Sequence, residues 1–399
     1  MTKRRRNWFA AVTVILLIGL LLAGCWDYRE LEKRAVIVGI GVDELPPLTE
    51  KGKQLRMYQI LVQVVEPAGA GGNLGSSGGT EATSRKAYTN IVVTSPSFAN
   101  AIERTVALSD RIPNMAHLQL IGVGETMAKN GINELYDFLT RLPQMRRHTE
   151  IVVLDGPISR FFTTQSISQP TPALHISEMA ANVQQTLVMP DSNLGEVSKS
   201  VRGKMPFILI KASLDDSNKI SMRHAAVFTD QKMVGTLTTD EMQLLSLLRN
   251  EIERGLLSFP CSAGKRTSFQ ILGGRSKLEP VMKNGRPHLT FELFLETELI
   301  EYQCLGASFD KQEQIRKAER LYGAELKKRL ITTANKLKDK YKVDVFRLTT
   351  RLKNYPDLYK AIRNDPKTFI EQMVVDVNVK LRIRTIGSSL ETPSLQEKP

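Results

Sequence analysis

A short basic and apolar leader ending at a cysteine decides which part of this chain can fold as a globular protein. Lys3-Arg4-Arg5-Arg6 form a basic zone, Trp8 to Ala23 an apolar zone, and Leu21-Leu22-Ala23-Gly24-Cys25 a small-residue junction. In that order these are the parts of a bacterial lipoprotein signal, so residues 1–24 read as a removable signal peptide. Cys25 is the expected lipidation site: its thiol takes a diacylglyceryl group and cleavage frees its amino group. An uncleaved anchor fits less well, because the apolar run falls short of the roughly 20 residues a spanning helix needs. Two or three acyl chains, at about 0.8 kcal/mol per buried methylene, hold a protein on a bilayer.

The chain has 399 residues, beyond the size at which one core usually stops growing, so two or three domains are expected. At 42% hydrophobic and 24% charged it has ordinary globular composition, and no later apolar run is long enough to span a membrane. The formal charge is +13, of which Lys3 and Arg4 to Arg6 carry four, leaving +9 after Cys25. That balance suits an anionic membrane surface. Nucleic acid is a poor partner for an exported chain with no zinc-finger spacing and no aromatic RNA-binding signature. Besides Cys25 only Cys261 and Cys304 remain. Outside the cytoplasm they either form a disulfide or stay as two separate buried thiols, and spacing alone does not choose.

Ala35 to Val42 is a continuous apolar run and predicts a buried strand. Its Gly39-x-Gly41 lacks the third glycine of a dinucleotide fingerprint, where Glu44 stands, and Pro46-Pro47 forbids the helix that would hold phosphates. Close backbone packing explains these glycines better. Met57 to Val65 predicts a strand paired with the first. Residues 67–84, dominated by Gly, Ser, Ala and Thr, predict a flexible insertion. Strands are expected at Tyr88–Val93, His117–Val123 and Thr149–Leu154, and helices after Ser95-Pro96 and over Thr126–Arg141. Residues 25–160 thus read as one α+β domain. Residues 161–200, rich in Ser, Gln and Pro with one helix over Leu174–Leu187, read as connection rather than core.

Residues 201–264 predict a small middle α/β domain: strands at Phe207–Ser213, Arg223–Phe228 and Met233–Leu237, a turn at Asp230-Gln231-Lys232, and a helix over Asp240–Glu253 capped by Thr238 or Thr239. Residues 265–387 predict a C-terminal α+β domain. Asn284-Gly285 signals a hairpin, and Leu289, Phe291, Leu293, Leu295 and Leu299 alternate with polar residues. A long helix is expected over 310–341, with an apolar stripe from Ile315 to Tyr341 and a basic face that includes Lys327, Lys328 and Arg329. That face is either ordinary solvated surface or a dock for lipid headgroups or an acidic partner. Met373, Val375, Val377, Val379, Leu381 and Ile383 alternate along a last strand, and residues 388–399 are expected to be a disordered tail.

No catalytic, cofactor or metal set emerges. His117, His148, His175, His224 and His288 lie in separate segments, and none forms a metal-spaced pair. Gly264-Lys265 lacks the rest of a phosphate loop, and no Gly-x-Ser-x-Gly elbow occurs. His175 and Glu178 read as polar groups at a helix start. Enzyme activity is disfavoured.

Taken in order, several segments resemble the Ger(x)C family of spore germination lipoproteins: Gly24-Cys25-Trp26-Asp27, the run ending Gly39-Ile40-Gly41-Val42-Asp43, His117-Leu118-Gln119 with Ile121-Gly122, Ala225-Ala226-Val227-Phe228 with Met233-Val234-Gly235, and Tyr355-Pro356. The resemblance implies three mixed α/β domains with largely antiparallel sheets and a lipid anchor on the extracytoplasmic face of the inner spore membrane. It also implies assembly with A-type and B-type membrane subunits of a nutrient germinant receptor, with no catalytic residue. A chain that binds a small nutrient ligand directly is the rival expectation. The glycine-rich insertion is longer than the family norm, and the C-terminal helical segment lacks the family's usual tryptophans.

Overall fold

The computed structural model describes Trp8 and residues 34–50, 52–66, 87–165, 168–186, 188–252, 254–261, 264–304 and 311–386. Cys25, the 67–84 insertion and the 388–399 tail lie outside the described residues.

The apolar run after Arg34 becomes β1 (Arg34–Glu50), which turns back as β2 (Lys53–Val65) in an antiparallel pair. β3 (Tyr88–Ser95) adds to β2, and α1 (Phe98–Ala107) leads to the short β4 (Ile112–Asn114), which pairs parallel with the start of β1. β5 (Leu120–Gly124) lies parallel to the middle of β1. The helix expected over Thr126–Arg141 is broken in two, α2 (Glu125–Asn130) and α3 (Asn133–Arg141). Gly131 takes φ +122° at the break, and Ile132 N–H donates to the Gln231 carbonyl instead of continuing the helix. β6 (Glu150–Asp155) follows, parallel to β5.

The segment read as a mere connection is core. It holds α4 (Ile158–Phe161), α5 (Pro172–Thr186) and α6 (Leu194–Gly203), and it buries Phe161, Phe162, Ala173, Ile176, Ala180 and Val197. Its Ser, Gln and Pro content hid an apolar face spread thinly over forty residues. β7 (Phe207–Leu214) then pairs parallel with β6, and β8 (Ile220–Thr229) and β9 (Lys232–Thr238) follow antiparallel. The middle unit therefore extends the first sheet, whose order is β3-β2-β1-β5-β6-β7-β8-β9 with β4 beside β1. Asp230 and Gln231 both have positive φ at the β8–β9 turn, as a two-residue hairpin requires.

α7 (Thr239–Arg249) starts with a capping box between Thr238 and Glu241 and ends at Arg249, four residues before the expected end, with Asn250 in the left-handed region. An unexpected strand, β10 (Gly255–Pro260), opens a second sheet. β11 (Arg266–Lys283) and β12 (Arg286–Tyr302) form the long hairpin around Asn284-Gly285. α8 (Gln312–Tyr341) runs thirty residues, about 45 Å. It buries Ala318, Gly323, Leu326, Leu330, Ala334, Leu337 and Tyr341 along one stripe. α9 (Leu348–Arg351), α10 (Pro356–Asn364) and α11 (Pro366–Gln372) follow, and β13 (Val374–Thr385) completes the order β10-β11-β12-β13. The chain is thus α+β, and antiparallel pairs make up six of the eleven strand interfaces among the described residues.

Helices cover both faces of the first sheet, which is why β1 reads as an unbroken apolar run. One face carries Ile37, Ile40 and Val42 against Phe98, Met127 and Leu135. The other carries Val38, Leu120 and Val152 against Phe161, Phe162 and Ala173, and this core continues without a break into the second sheet and α8.

Cys261 and Cys304 form a disulfide with their Cα atoms 6.1 Å apart, tying the end of β10 to the end of β12. The bridge closes a separation of 43 residues. Its reduction is expected to cost about 2–4 kcal/mol, because the unfolded chain regains that loop's freedom. Thermal unfolding with and without reductant measures this, and a Cys261→Ser, Cys304→Ser chain should show the lowered midpoint under both conditions.

Candidate functional site

Three clefts can be judged by their chemistry. The first lies at the carboxyl ends of the parallel strands, where open α/β sheets bind ligands. About 520 Å³ in volume, it is lined by Asp43, Gln59, Glu125, Lys129 and Gly156 among others. Asp43 accepts from the Met127 and Glu44 N–H groups, and its carboxyl sits where a Cβ on Gly124 would be, 2.1 Å from that position. Burial pushes the Asp43 carboxyl above its ordinary range, against those two hydrogen bonds. Lys211 bridges Glu125 and Asp155 at 3.3 and 2.9 Å, and Lys129 holds Glu125 at 2.9 Å. The charges satisfy one another, so this end of the sheet is a closed ionic network.

The second, about 180 Å³, lies between α5, α7 and the segment after α7, lined by Gln184, Asp191, Arg249, Glu251, Arg254 and Arg347 among others. Beside it Gln184 Nε2 donates to Glu150 at 3.1 Å. Burial first, and Asp191 as a like charge, push the Glu150 carboxyl up from 4.5 to about 7. The unfolded chain thus releases this proton well before the folded one. Stability is intact below pH about 4.5, falls as pH rises, and reaches its full loss above about 7, on the order of 3 kcal/mol. Glu150→Gln is expected to raise the unfolding free energy at pH 8 by an amount of that order and to change it little at pH 4.5. Denaturant titrations at the two pH values decide it, and an equal gain at both would remove Glu150 as the cause.

The third lies between the two sheets' helices. About 510 Å³ in volume, it runs along the free edge of β10 between α7 and α8. Arg223, Arg266 and Arg329 line it together with Asp240 and Glu325. Gln243 Nε2 donates to the Leu256 carbonyl and Arg329 to the Ser258 carbonyl, so side chains already cover part of the strand edge. Arg329 also lies 5.6 Å over the Phe259 ring. Charges of both signs around an open volume suit a small zwitterion or anion. The contributing residues span more than a hundred positions with no local motif, and the strand that forms the floor was not anticipated, so sequence reasoning missed this cleft.

Much of the α8 basic face is occupied within the molecule. Lys327 pairs with Asp376 at 3.2 Å and Lys336 with Glu241 at 2.7 Å. Lys338 donates to the Met373 carbonyl and Lys340 to the Thr236 carbonyl. These contacts strap the helix across both sheets. His175 and Glu178 sit in the first turns of α5, where Glu178 is exposed. Among the described residues no group of three His, Cys, Asp or Glu side chains is placed to hold a metal ion, and no helix is long and apolar enough to cross a membrane.

Comparison with known proteins gives concordant likenesses. Residues 27–210 match the family described as spore germination protein N-terminal domain, and residues 223–387 match that described as spore germination B3/GerAC like, C-terminal. Spore germination protein B3 of Bacillus subtilis (strain 168) is 21% identical, over 94% of this chain and 97% of its own length. Spore germination protein KC of the same organism is 23% identical over 96% of each. The crystal structure of the GerBC protein superposes with a TM-score of 0.58 at 17% identity, covering 86% of this chain and 97% of that one, which speaks to the fold.

Proposed function

The chain belongs to the Ger(x)C family of spore germination proteins, and on that premise we propose that it is a non-enzymatic, lipid-anchored subunit of a nutrient germinant receptor, required for the spore's response to germinants. The observation that carries this reading is the end-to-end match: two family domains in order, and relatives aligned over nearly their whole length. The lipid on Cys25 holds the protein on the extracytoplasmic face of the inner spore membrane, beside A-type and B-type membrane subunits. Tethering makes even weak contacts with them effectively intramolecular. A detergent pull-down of C-terminally tagged protein from spore membranes should recover two multi-span membrane proteins, and Cys25→Ala should lose them. Recovery of neither with the wild type would count against a stable receptor complex.

The cleft along β10 favours a second reading, direct binding of a small nutrient, because Arg223 and Arg266 line its volume together with Asp240 and Glu325. Calorimetry of the full chain with a panel of amino acids and sugars tests it. Heat that disappears in Arg223→Ala, Arg266→Ala supports binding, and no heat with any compound removes it.

A further inference from the structure

The strand ends nearest the expected anchor carry an unpartnered apolar and basic surface. Only eight residues separate Cys25 from Arg34, a reach of no more than about 30 Å. Arg34 pairs with Ile112, which therefore sits where the chain arrives from the membrane. At that place Val106, Leu108 and Ile112 are 44, 64 and 46% exposed, within one short run at the end of α1 and the start of β4.

The surrounding rim is basic, and hydrogen bonds fix it to the same end of the sheet. Met115 N–H donates to Gln144 Oε1, joining β4 to the loop that holds Arg146 and Arg147. Leu194 N–H donates to the Thr149 carbonyl and Gly195 N–H to the Arg147 carbonyl, which lays α6 across this end. α6 brings Arg202 and the following Lys204 to the start of β7. Arg34, Arg146, Arg147, Arg202 and Lys204 have no ion-pair partner among the described residues. Arg111 is neutralised by Glu66 and Asp110 and does not count. Five unpaired cations around exposed aliphatic side chains are what an anionic bilayer surface attracts. Headgroups meet the arginines, and Leu108 and Ile112 reach the acyl boundary.

We propose that this end of the first sheet is a membrane-docking face, seated on the anionic lipid surface through Val106, Leu108 and Ile112 with the basic rim around them. It rests on the lipid-anchor reading of Cys25 and adds the orientation of the protein on its membrane.

The experiment uses the full chain, produced in a bacterial host that processes lipoproteins and reconstituted in phosphatidylglycerol/phosphatidylcholine vesicles. A fluorophore is attached at Leu108→Cys or, as control, at Leu321→Cys, an exposed residue of α8. The mass of the N-terminal peptide tests the anchor separately. Lipids spin-labelled high in the acyl chain should quench the probe at 108 strongly and that at 321 little. Neutralising Arg146, Arg147 and Lys204 to Gln in the chain from Trp26 onward, which carries neither leader nor acyl chains, should reduce its partition onto the same vesicles roughly a hundredfold. Acylated protein without quenching at 108 overturns the docking face while leaving the anchor intact. A missing acyl mass overturns the anchor, and the face is then judged by the quenching and partition alone. If position 108 is unquenched on vesicles yet shielded from an aqueous quencher in native spore membranes, the face contacts protein and lipid docking is wrong.

Discussion

Arg249→Ala is expected to lower the unfolding free energy by about 3–5 kcal/mol, because it empties the space of a buried side chain and strands the Val345 carbonyl that it serves. Arg249 ends α7 and is buried, and burial pushes its guanidinium down to about 10, so it stays charged at neutral pH. Its Nε donates to the Val345 carbonyl at 2.7 Å, and Glu251 lies 3.6 Å from Nη1. Asp344, 5% exposed, accepts from Leu348 N–H, Thr349 N–H and the Thr349 hydroxyl; burial pushes its carboxyl above the ordinary range, against those hydrogen bonds and the positive field of Arg249. Arg351 completes the knot by donating to the Leu248 and Ser276 carbonyls. The helix that closes the first sheet is thus gripped by β11 and the loop after α8. Without Arg249, the Val345 carbonyl loses its donor and the Asp344 carboxyl loses a nearby positive charge. In an Asp344→Asn background the same substitution should cost less, since the field that Arg249 exerts on that carboxyl no longer counts. Urea midpoints of the four chains give the coupling, and purely additive losses would show that the two residues act independently.

That network shows where sequence reading stops. Legible features were local. Alternation along β12 and β13 gave strand and face, Asn284-Gly285 gave the hairpin, and a cap at Thr238 or Thr239 gave the start of α7 within one residue. The basic face of α8 was legible as charge but not as contact, because Asp376, Glu241 and the Met373 and Thr236 carbonyls come from other elements. β10 was missed because Ser258 and Pro260 interrupt a run of only six residues, and its register comes from pairing with β11. The cleft along its edge was missed for the same reason: its arginines meet only once two sheets and two helices have assembled. Cys261 and Cys304 could be counted but not paired until β10 and β12 were placed either side of β11.

The role of residues 161–200 yields the second large effect. Phe162→Ala is expected to destabilise the fold by about 3–5 kcal/mol, as for a fully buried aromatic removed without refilling its space. Its ring lies across a floor of glycines: a Cβ built on Gly39 or Gly41 would stand 2.9 Å from the ring, and one on Gly122 3.3 Å. These strands accept Phe162 only because they lack side chains there. Its carbonyl is held as well, by Gln63 Nε2 at 3.0 Å and Asn90 Nδ2 at 2.9 Å, and Gln63 Oε1 accepts from Ala173 N–H at 2.9 Å. One buried glutamine thereby joins β2, β3 and the start of α5 around the ring. Gly41→Ala should cost about 1–3 kcal/mol in the native chain, where the added methyl meets the ring, and close to nothing once Phe162 is alanine. The double-mutant cycle separates this from a backbone effect of Gly41. If Gly41→Ala costs the same in both backgrounds, the glycine serves the strand and not the aromatic ring above it.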